Sequence, residues 1–205
     1  VFYESDIASG YSVDNIAPSV SNFSVSHDNL DITMSWEYEP DPDFNHHTIN
    51  SLFNESVQTL DQMISIDLDD NRHEEYELST EDINLNSSSV ITMAINLHDG
   101  ANLRSFNVLP DDNSITNVMA SIEGVATGVI GEGVAANYME GSGWMGSLSA
   151  IDPNSGYWIM VSEDDILLLI GTPTPRDTEY TLEAGANLIS YPFRYSTVLE
   201  EAIPD

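Results

Sequence analysis

A ten-residue phrase occurs twice in this chain and constrains its fold more than any other feature of the sequence. The first copy is LHDGANLRSF, residues 97–106, and the second is LEAGANLISY, residues 182–191. Six of the ten positions are identical, which is typical of a modular chain in which each copy opens one structural unit. Asn102 and Asn187 recur at the same position of the phrase, and we expect their side chains to bond the backbone in a turn. Because the second copy lies close to Asp205, the last residue, we expect the sequence to be part of a longer repetitive protein.

The charge of the chain limits its partners. Its 205 residues include 35 Asp and Glu against 4 Arg and no Lys, for a formal net charge of −31. Such a field repels phosphate backbones and anionic membranes, so we expect no nucleic-acid partner. Three explanations of the acidity stay open: a solvated surface in a saline medium, specific sites for divalent cations, and an acidic face for a basic partner.

Cysteine usage and hydropathy narrow the class further. The chain has no cysteine, which excludes thiol catalysis, Cys-ligated zinc and a disulfide scaffold. Its longest apolar run, Ile166 to Ile170, is far shorter than the roughly 18–20 residues that cross a bilayer. We therefore expect no membrane insertion, and the run predicts a buried strand instead.

The local patterns are those of β-structure. Short β-branched and aromatic runs alternate with clusters of Asp, Asn, Ser, Gly and Pro, a spacing typical of β-sandwiches. Runs 23–25 and 32–36 predict two strands joined by a turn at 27–29, and run 90–95 predicts another strand. The best helical pattern covers Ser114 to Ile122, where apolar residues recur at helical spacing and Ser114 is a suitable N-cap.

The upstream half resembles a fibronectin type III domain. The segment IAPS (16–19) is followed by a strand, a turn and a strand that ends in SWE (35–37), and PDPDF (40–44) follows. In such domains a proline-led first strand precedes a second strand that places its Trp in the core. Ala94-x-Asn96 is similar to the late strand F of this fold, and residues 3–15 resemble the closing strand of a preceding copy.

The downstream half resembles a different module. GANLISYP (185–192), together with GYWI (156–159), is similar to a repeat of large secreted bacterial surface proteins that runs from an "NLIS-P" strand to a "GYW" strand. That resemblance transfers no activity to individual residues. It implies a secreted or cell-surface protein.

Together the two resemblances imply a mainly β chain, with a fibronectin-like β-sandwich followed by a small α+β repeat module. The implied units are the end of a preceding module (1–16), the sandwich (17–97), the first repeat module (98–179) and the start of a second, truncated one (180–205). Whether residues 101–109 close the sandwich or open the repeat module stays open.

Two groups of residues are candidate binding sites. The densest acidic cluster contains Asp67, Asp69, Asp70 and Asn71; it is either a calcium loop, since calcium takes six to eight oxygen ligands, or a solvated turn. The aromatic residues Trp144, Tyr157 and Trp158 are either core residues or a platform for a sugar ring.

Other motifs lack the context that their chemistry needs. GEGVAA (131–136) fits the GxGxxA form of a dinucleotide fingerprint, but no crossover helix can follow, so it predicts a tight turn. His46 and His47, adjacent on a predicted strand, point to opposite faces and cannot hold one metal together. We therefore predict no catalytic residue and no cofactor apart from calcium, and we expect no enzyme activity.

These observations predict a non-catalytic structural, adhesion or spacer section whose partners are the neighbouring modules of the same polypeptide. The alternative is a carbohydrate-binding accessory module of a secreted hydrolase, which would bind polysaccharide through Trp144, Tyr157 or Trp158. A cluster of exposed aromatic residues on one face would favour the alternative, whereas buried aromatic residues would favour the structural role.

Overall fold

The computed structural model describes residues 16–38, 42–51, 55–67, 73–191 and 198. Within these ranges the strands are β1 (Ser21–Asp28), β2 (Asp31–Glu37), β3 (Phe44–Ser51), β4 (Val57–Thr59), β5 (Met63–Asp67), β6 (His73–Asp82), β7 (Ser87–Leu97), β8 (Gly100–Ser105), β9 (Val108–Leu109), β10 (Ala126–Ile130), β11 (Ala135–Met139), β12 (Gly143–Gly146), β13 (Gly156–Val161) and β14 (Asp165–Pro173). A four-residue helix, α1 (Ile115–Val118), precedes a 3₁₀ turn at Ala120–Ile122. The described chain is mainly β, which confirms the predicted class. None of its described helices is long and apolar enough to cross a membrane.

The first half folds into a β-sandwich. A small sheet of order β1-β2-β5 faces a six-stranded sheet of order β4-β3-β6-β7-β14-β9. Alternate residues of β2 point between the sheets because successive side chains of a strand face opposite ways. Ile32, Met34 and Trp36 are thereby buried against residues of the larger sheet, namely Ile49, Tyr76 and Leu78. The β-sandwich and the core position of Trp36 agree with the prediction.

The strand beside β7 comes from the second half of the chain. β14 pairs antiparallel with β7, from Asp165 opposite Leu97 to Gly171 opposite Ile91. β9 pairs in turn with the end of β14. Gly171 permits this close approach, since a Cβ there would collide with the backbone of Leu109. The two halves of the chain therefore share one sheet.

β7 and β14 are buried on both faces because their alternate side chains enter two different cores. On one face Ala94, Ile166 and Leu168 belong to the sandwich core. On the other face the second core receives Ile91, Met93, Ile95, Leu97, Leu167 and Leu169. A strand covered on both faces has a continuous apolar sequence. The run 166–170 is such a strand, as predicted.

The five-stranded sheet, of order β12-β11-β10-β13-β8, covers the second core. Its inner side contributes Val129, Tyr157 and Ile159, and the helical segment fills the remaining space with Ile115, Val118, Met119 and Ile122. The Ser114 hydroxyl accepts a hydrogen bond from the Asn117 N–H at 3.4 Å, as an N-cap does. The predicted helix over 114–122 is thus present as one α turn followed by one 3₁₀ turn.

Both copies of the repeated phrase form the same loop, which an asparagine side chain closes. Asn102 Oδ1 accepts from the His98 N–H at 3.0 Å, and Nδ2 donates to the His98 carbonyl at 2.8 Å. Asn187 makes the same two bonds to Glu183, at 2.8 and 2.9 Å. The glycine two residues earlier has positive φ in each copy, 97° at Gly100 and 116° at Gly185. The predicted bonding of both asparagines to the backbone is confirmed.

The two copies differ in what they pack against. Leu97 of the first copy is completely buried, whereas the equivalent Leu182 is 57% exposed. In the first copy, β8 pairs with β13 along its whole length. The second copy makes a single bridge instead, from Ile189 to Ser155, the residue that directly precedes β13. The same local loop therefore forms in two different tertiary settings, and the module boundaries at 16/17, 97/98 and 179/180 stay predictions.

The structure answers one open question and corrects one assignment. Residues 101–109 divide between two sheets, since β8 belongs to the five-stranded sheet and β9 lies at the edge of the six-stranded one. Ala94 and Asn96 lie on β7, and β6 separates β7 from β3. Within residues 17–97, β6 is therefore the next-to-last strand and β7 the last one. The assignment of Ala94 and Asn96 to strand F is wrong by one strand, because these residues lie on the last strand and not on the one before it. Residues 3–15, Pro40 and Pro192 lie outside the described residues.

Candidate functional site

The predicted calcium loop lies only partly within the described residues. Asp67 ends β5, is exposed and stands directly opposite Asp31 of β2. Asp69, Asp70 and Asn71 lie outside the described residues. Over the ranges that the structure describes, no group of three or more His, Asp or Glu has the arrangement of a metal site. The calcium loop at 67–71 stays a prediction.

The acidic turn before α1 has a structural role. The Asp112 carboxylate accepts a hydrogen bond from the Ser114 N–H at 3.0 Å, and Asn113 Nδ2 donates to the Ile151 carbonyl at 2.9 Å. The bond from the Ser114 N–H, followed by that from its hydroxyl, lowers the pKa of the Asp112 carboxyl because both favour the charged form. These contacts hold the turn that precedes α1.

The adjacent histidines point to opposite faces of β3, as predicted. His47 is buried in an aromatic pocket, with ring centroids 5.2 Å from Trp36 and 4.8 Å from Phe44. Its Nδ1 lies 3.0 Å from the Thr80 hydroxyl. Burial, and to a lesser degree the neighbouring His46, lowers the pKa of His47, since both disfavour the charged imidazolium. His47 is therefore a core residue whose surroundings favour the neutral imidazole.

A third histidine joins the two halves of the chain. His27, in the turn region of β1 and β2, lies with Asp165 at a junction cleft of about 670 Å³. Its Nε2 is 3.1 Å from the Asp165 carboxylate and its Nδ1 is 3.3 Å from the Asn29 carbonyl. This contact ties the small sheet to the start of β14.

The three candidate aromatic residues occupy different environments. Tyr157 is only 2% exposed and faces the second core, where its hydroxyl accepts from the Asp152 N–H at 2.8 Å; burial raises its pKa. Trp144 is half-buried on the same inner side, with its ring 5.5 Å from that of Tyr138. Trp158 faces outward and is 41% exposed. The structure therefore does not bring the three rings together on one surface.

Trp158 instead belongs to a continuous apolar surface on the outer side of the five-stranded sheet. Leu103, Trp158 and Ile130 stand directly opposite one another on β8, β13 and β10. The adjacent row carries Met160 and Met145, with Gly128 and Asn137 between them. Met139 follows on β11. We call Leu103, Ile130, Met139, Met145, Trp158 and Met160 the outer apolar face.

The sequence produces this surface because its strands are apolar on both sides. β13 reads GYWIMV, so Tyr157 and Ile159 enter the core while Trp158 and Met160 face outward. Strands β10 to β13 contain no Asp, Glu, Lys or Arg. Sequence reasoning considered the aromatic residues alone and missed the methionines. A strand with one face in water normally alternates apolar and polar residues. The consecutive apolar residues of these strands were therefore the signal that could have revealed the methionines.

Carboxylates surround this uncharged surface at the ends of its strands. Asp99 precedes β8, Glu132 lies between β10 and β11, Glu140 follows β11, and Glu163 follows β13; all four are exposed. The cation within the sheet, Arg104, turns away from the outer apolar face and donates to the Leu103 and Asn96 carbonyls at 3.1 and 2.8 Å. The surface is therefore an apolar centre inside a negative rim.

Two solved structures are among those similar to this chain. One is a central fibronectin-III array of RIM-binding protein, 11% identical over 76% of this chain and 62% of that one, with a TM-score of 0.30. The other is a chitinase from Bacillus thuringiensis, 14% identical over 80% of this chain and 28% of that one, with a TM-score of 0.33. The chain thus spans less than two thirds of either structure. No family model and no curated protein matches the sequence.

Proposed function

We propose that this chain is a non-catalytic structural section, a spacer or adhesion segment of a larger secreted or cell-surface protein. The observation that carries the proposal is the sheet shared by the two halves. β14 is hydrogen-bonded to β7 over seven residue pairs, from 165 to 171, and its side chains enter both cores. Such a strand holds the two cores at a constant relative position, which a spacer requires.

The connections between the halves support the same conclusion. Only His98 and Asp99 separate β7 from β8, and the Asp99 N–H donates to the Asp164 carboxylate of the β13–β14 turn at 2.7 Å. Domains joined by long linkers and polar interfaces move relative to one another by default. Here a two-residue connection and a continuous sheet oppose that motion.

The distribution of aromatic residues favours the structural role over the carbohydrate-binding alternative. That alternative calls for several rings on one exposed face, whereas Tyr157 is buried and Trp144 and Trp158 lie on opposite sides of their sheet. Of the three candidate residues, Trp158 is the one that the structure leaves exposed for stacking on a sugar ring.

Single-molecule stretching tests the proposal. Because the chain has no cysteine, Ile16→Cys and Asp177→Cys provide two unique attachment points at exposed positions. We expect one unfolding event that releases most of the contour length of residues 16–177, roughly 560 Å at about 3.5 Å per residue. Two separate events of about half that length would show that the halves yield independently and would contradict the spacer role.

A further inference from the structure

The outer apolar face has the features of a docking surface. An antiparallel sheet with one face on a core usually presents polar side chains on the other. Here Met145 and Trp158 are 56% and 41% exposed, and Leu103, Ile130 and Met139 are exposed beside them. In a chain with 35 acidic residues among 205, such an uncharged apolar surface is a candidate interaction site.

We propose that the outer apolar face binds a cationic amphipathic polypeptide segment. Apolar side chains of the segment cover the face, and its Lys or Arg side chains pair with the carboxylates at the strand ends. The proposal goes beyond the spacer role, because holding the two cores at a constant relative position does not require a partner on the outer apolar face.

Charge complementarity selects the sign of the partner. Asp99, Glu132, Glu140 and Glu163 bound the face at both ends of the strands, and the net charge of the chain is −31. A second copy of the chain would bring a rim of the same sign into contact, which costs free energy through like-charge repulsion. An anionic surface is disfavoured for the same reason. A cationic segment is attracted to each of these four carboxylates.

Side-chain chemistry favours a polypeptide over a sugar chain. Met139, Met145 and Met160 are flexible and polarisable, so they adapt to the irregular apolar side of a peptide. Trp158 supplies the large anchor that dominates such interfaces. A polysaccharide needs several hydrogen-bonding side chains beside its stacking ring. In the row that runs from Met160 to Met145, one side chain, that of Asn137, is polar.

The test uses a synthetic 18-residue peptide of Leu and Lys whose Leu residues lie on one helical face. A peptide with the same Lys positions and Ser in place of Leu provides the charge control. Affinities for the full chain are measured by fluorescence anisotropy at 0.15 M and 0.5 M salt. We expect the Leu–Lys peptide to bind at least about tenfold more tightly than the Ser–Lys peptide, and its affinity to fall at the higher salt concentration.

Matched variants locate the binding. Met145→Gln and Trp158→Gln should each weaken Leu–Lys peptide binding by about fivefold or more, as expected for residues at the centre of an interface. Met63→Gln is the control, because Met63 is similarly exposed, at 64%, but lies on β5 of the small sheet. It should leave the affinity unchanged. Since all three side chains are exposed, the variants should fold, and circular dichroism checks this.

Three results would overturn the proposal. Equal binding of both peptides, or equal affinity in all three variants, would show that only diffuse charge is involved. Retention on a neutral polysaccharide that Trp158→Gln abolishes would assign the face to a glycan. A dimer in sedimentation equilibrium that Met145→Gln dissociates would assign it to a second copy of the chain.

Discussion

Leu167 and Leu168 are neighbours on β14 whose side chains enter different cores, so alanine at each position tests whether the two cores fold together. Leu167 packs in the core beneath the five-stranded sheet, and Leu168 packs in the sandwich core. If β14 couples the cores, either substitution should destabilise the whole described chain rather than one half.

The expected loss follows from burial. Leu→Ala removes three carbon atoms, and at about 0.8 kcal/mol for each buried CH₂ the transfer contribution is about 2.4 kcal/mol. The cavity left behind adds to this, and measured Leu→Ala losses in cores are about 2–5 kcal/mol. Leu167 is completely buried and Leu168 is nearly so. We expect Leu167→Ala to lie in the upper part of that range and Leu168→Ala in the lower part.

Urea unfolding followed by tryptophan fluorescence measures both losses. A variant whose single tryptophan is Trp36 reports on the sandwich. A Trp36→Phe variant keeps Trp144 and Trp158 and reports on the second half. The two probes should give coincident transitions in every case, and each leucine variant should shift both equally. Leu103→Ala is the control, because Leu103 is exposed on the outer side of its sheet, and it should cost about 0.5 kcal/mol or less. A Leu167→Ala variant that shifts only the second probe would refute the coupling.

Three further predictions concern single sites. Trp36→Ala should cost about 3–5 kcal/mol, since Trp36 fills the sandwich core; a loss below about 1 kcal/mol in urea unfolding would contradict that position. Asn102→Ala should cost about 1–3 kcal/mol because it removes a buried side chain that pairs with two part-buried backbone groups of His98, and Asn187→Ala, in the more exposed loop, should lower the melting temperature less. Because the pKa of His47 is lower in the folded chain, the unfolded chain binds a proton at this imidazole more readily than the folded chain does. Its contribution is therefore complete above the ordinary histidine pKa of about 6.5 and declines as the pH falls below it; His47→Gln should flatten the change in unfolding free energy between about pH 7 and pH 5.

Local features followed from the sequence where local chemistry decides them. The asparagine of the repeated phrase closes the same loop in both copies because its side chain and the preceding glycine act within five residues. Ser114 caps α1 for the same reason. The alternation of residues 32–36 predicted a strand, and β2 is that strand, with Ile32, Met34 and Trp36 buried. Each of these depends on a short stretch of chain and elementary stereochemistry.

The candidate site was less predictable because it depends on which face of a strand is covered. Tyr157 and Trp158 are adjacent in sequence, and nothing local distinguishes the core residue from the exposed one. The methionines of the outer apolar face come from three strands that meet only in the folded sheet. Their common surface could not be inferred from any one segment.

By itself the sequence determined the β-class of the chain, its acidic and cysteine-free character, the sandwich position of Trp36 and the loop that each repeated phrase forms. Only the tertiary structure decided that β14 joins the sheet of the first half, so that one sheet lies between the two cores. The physical reason is that strand pairing is non-local. A run such as 166–170 reveals that it is buried, but its partner is chosen by the backbone edge and the apolar surfaces that the rest of the chain leaves open.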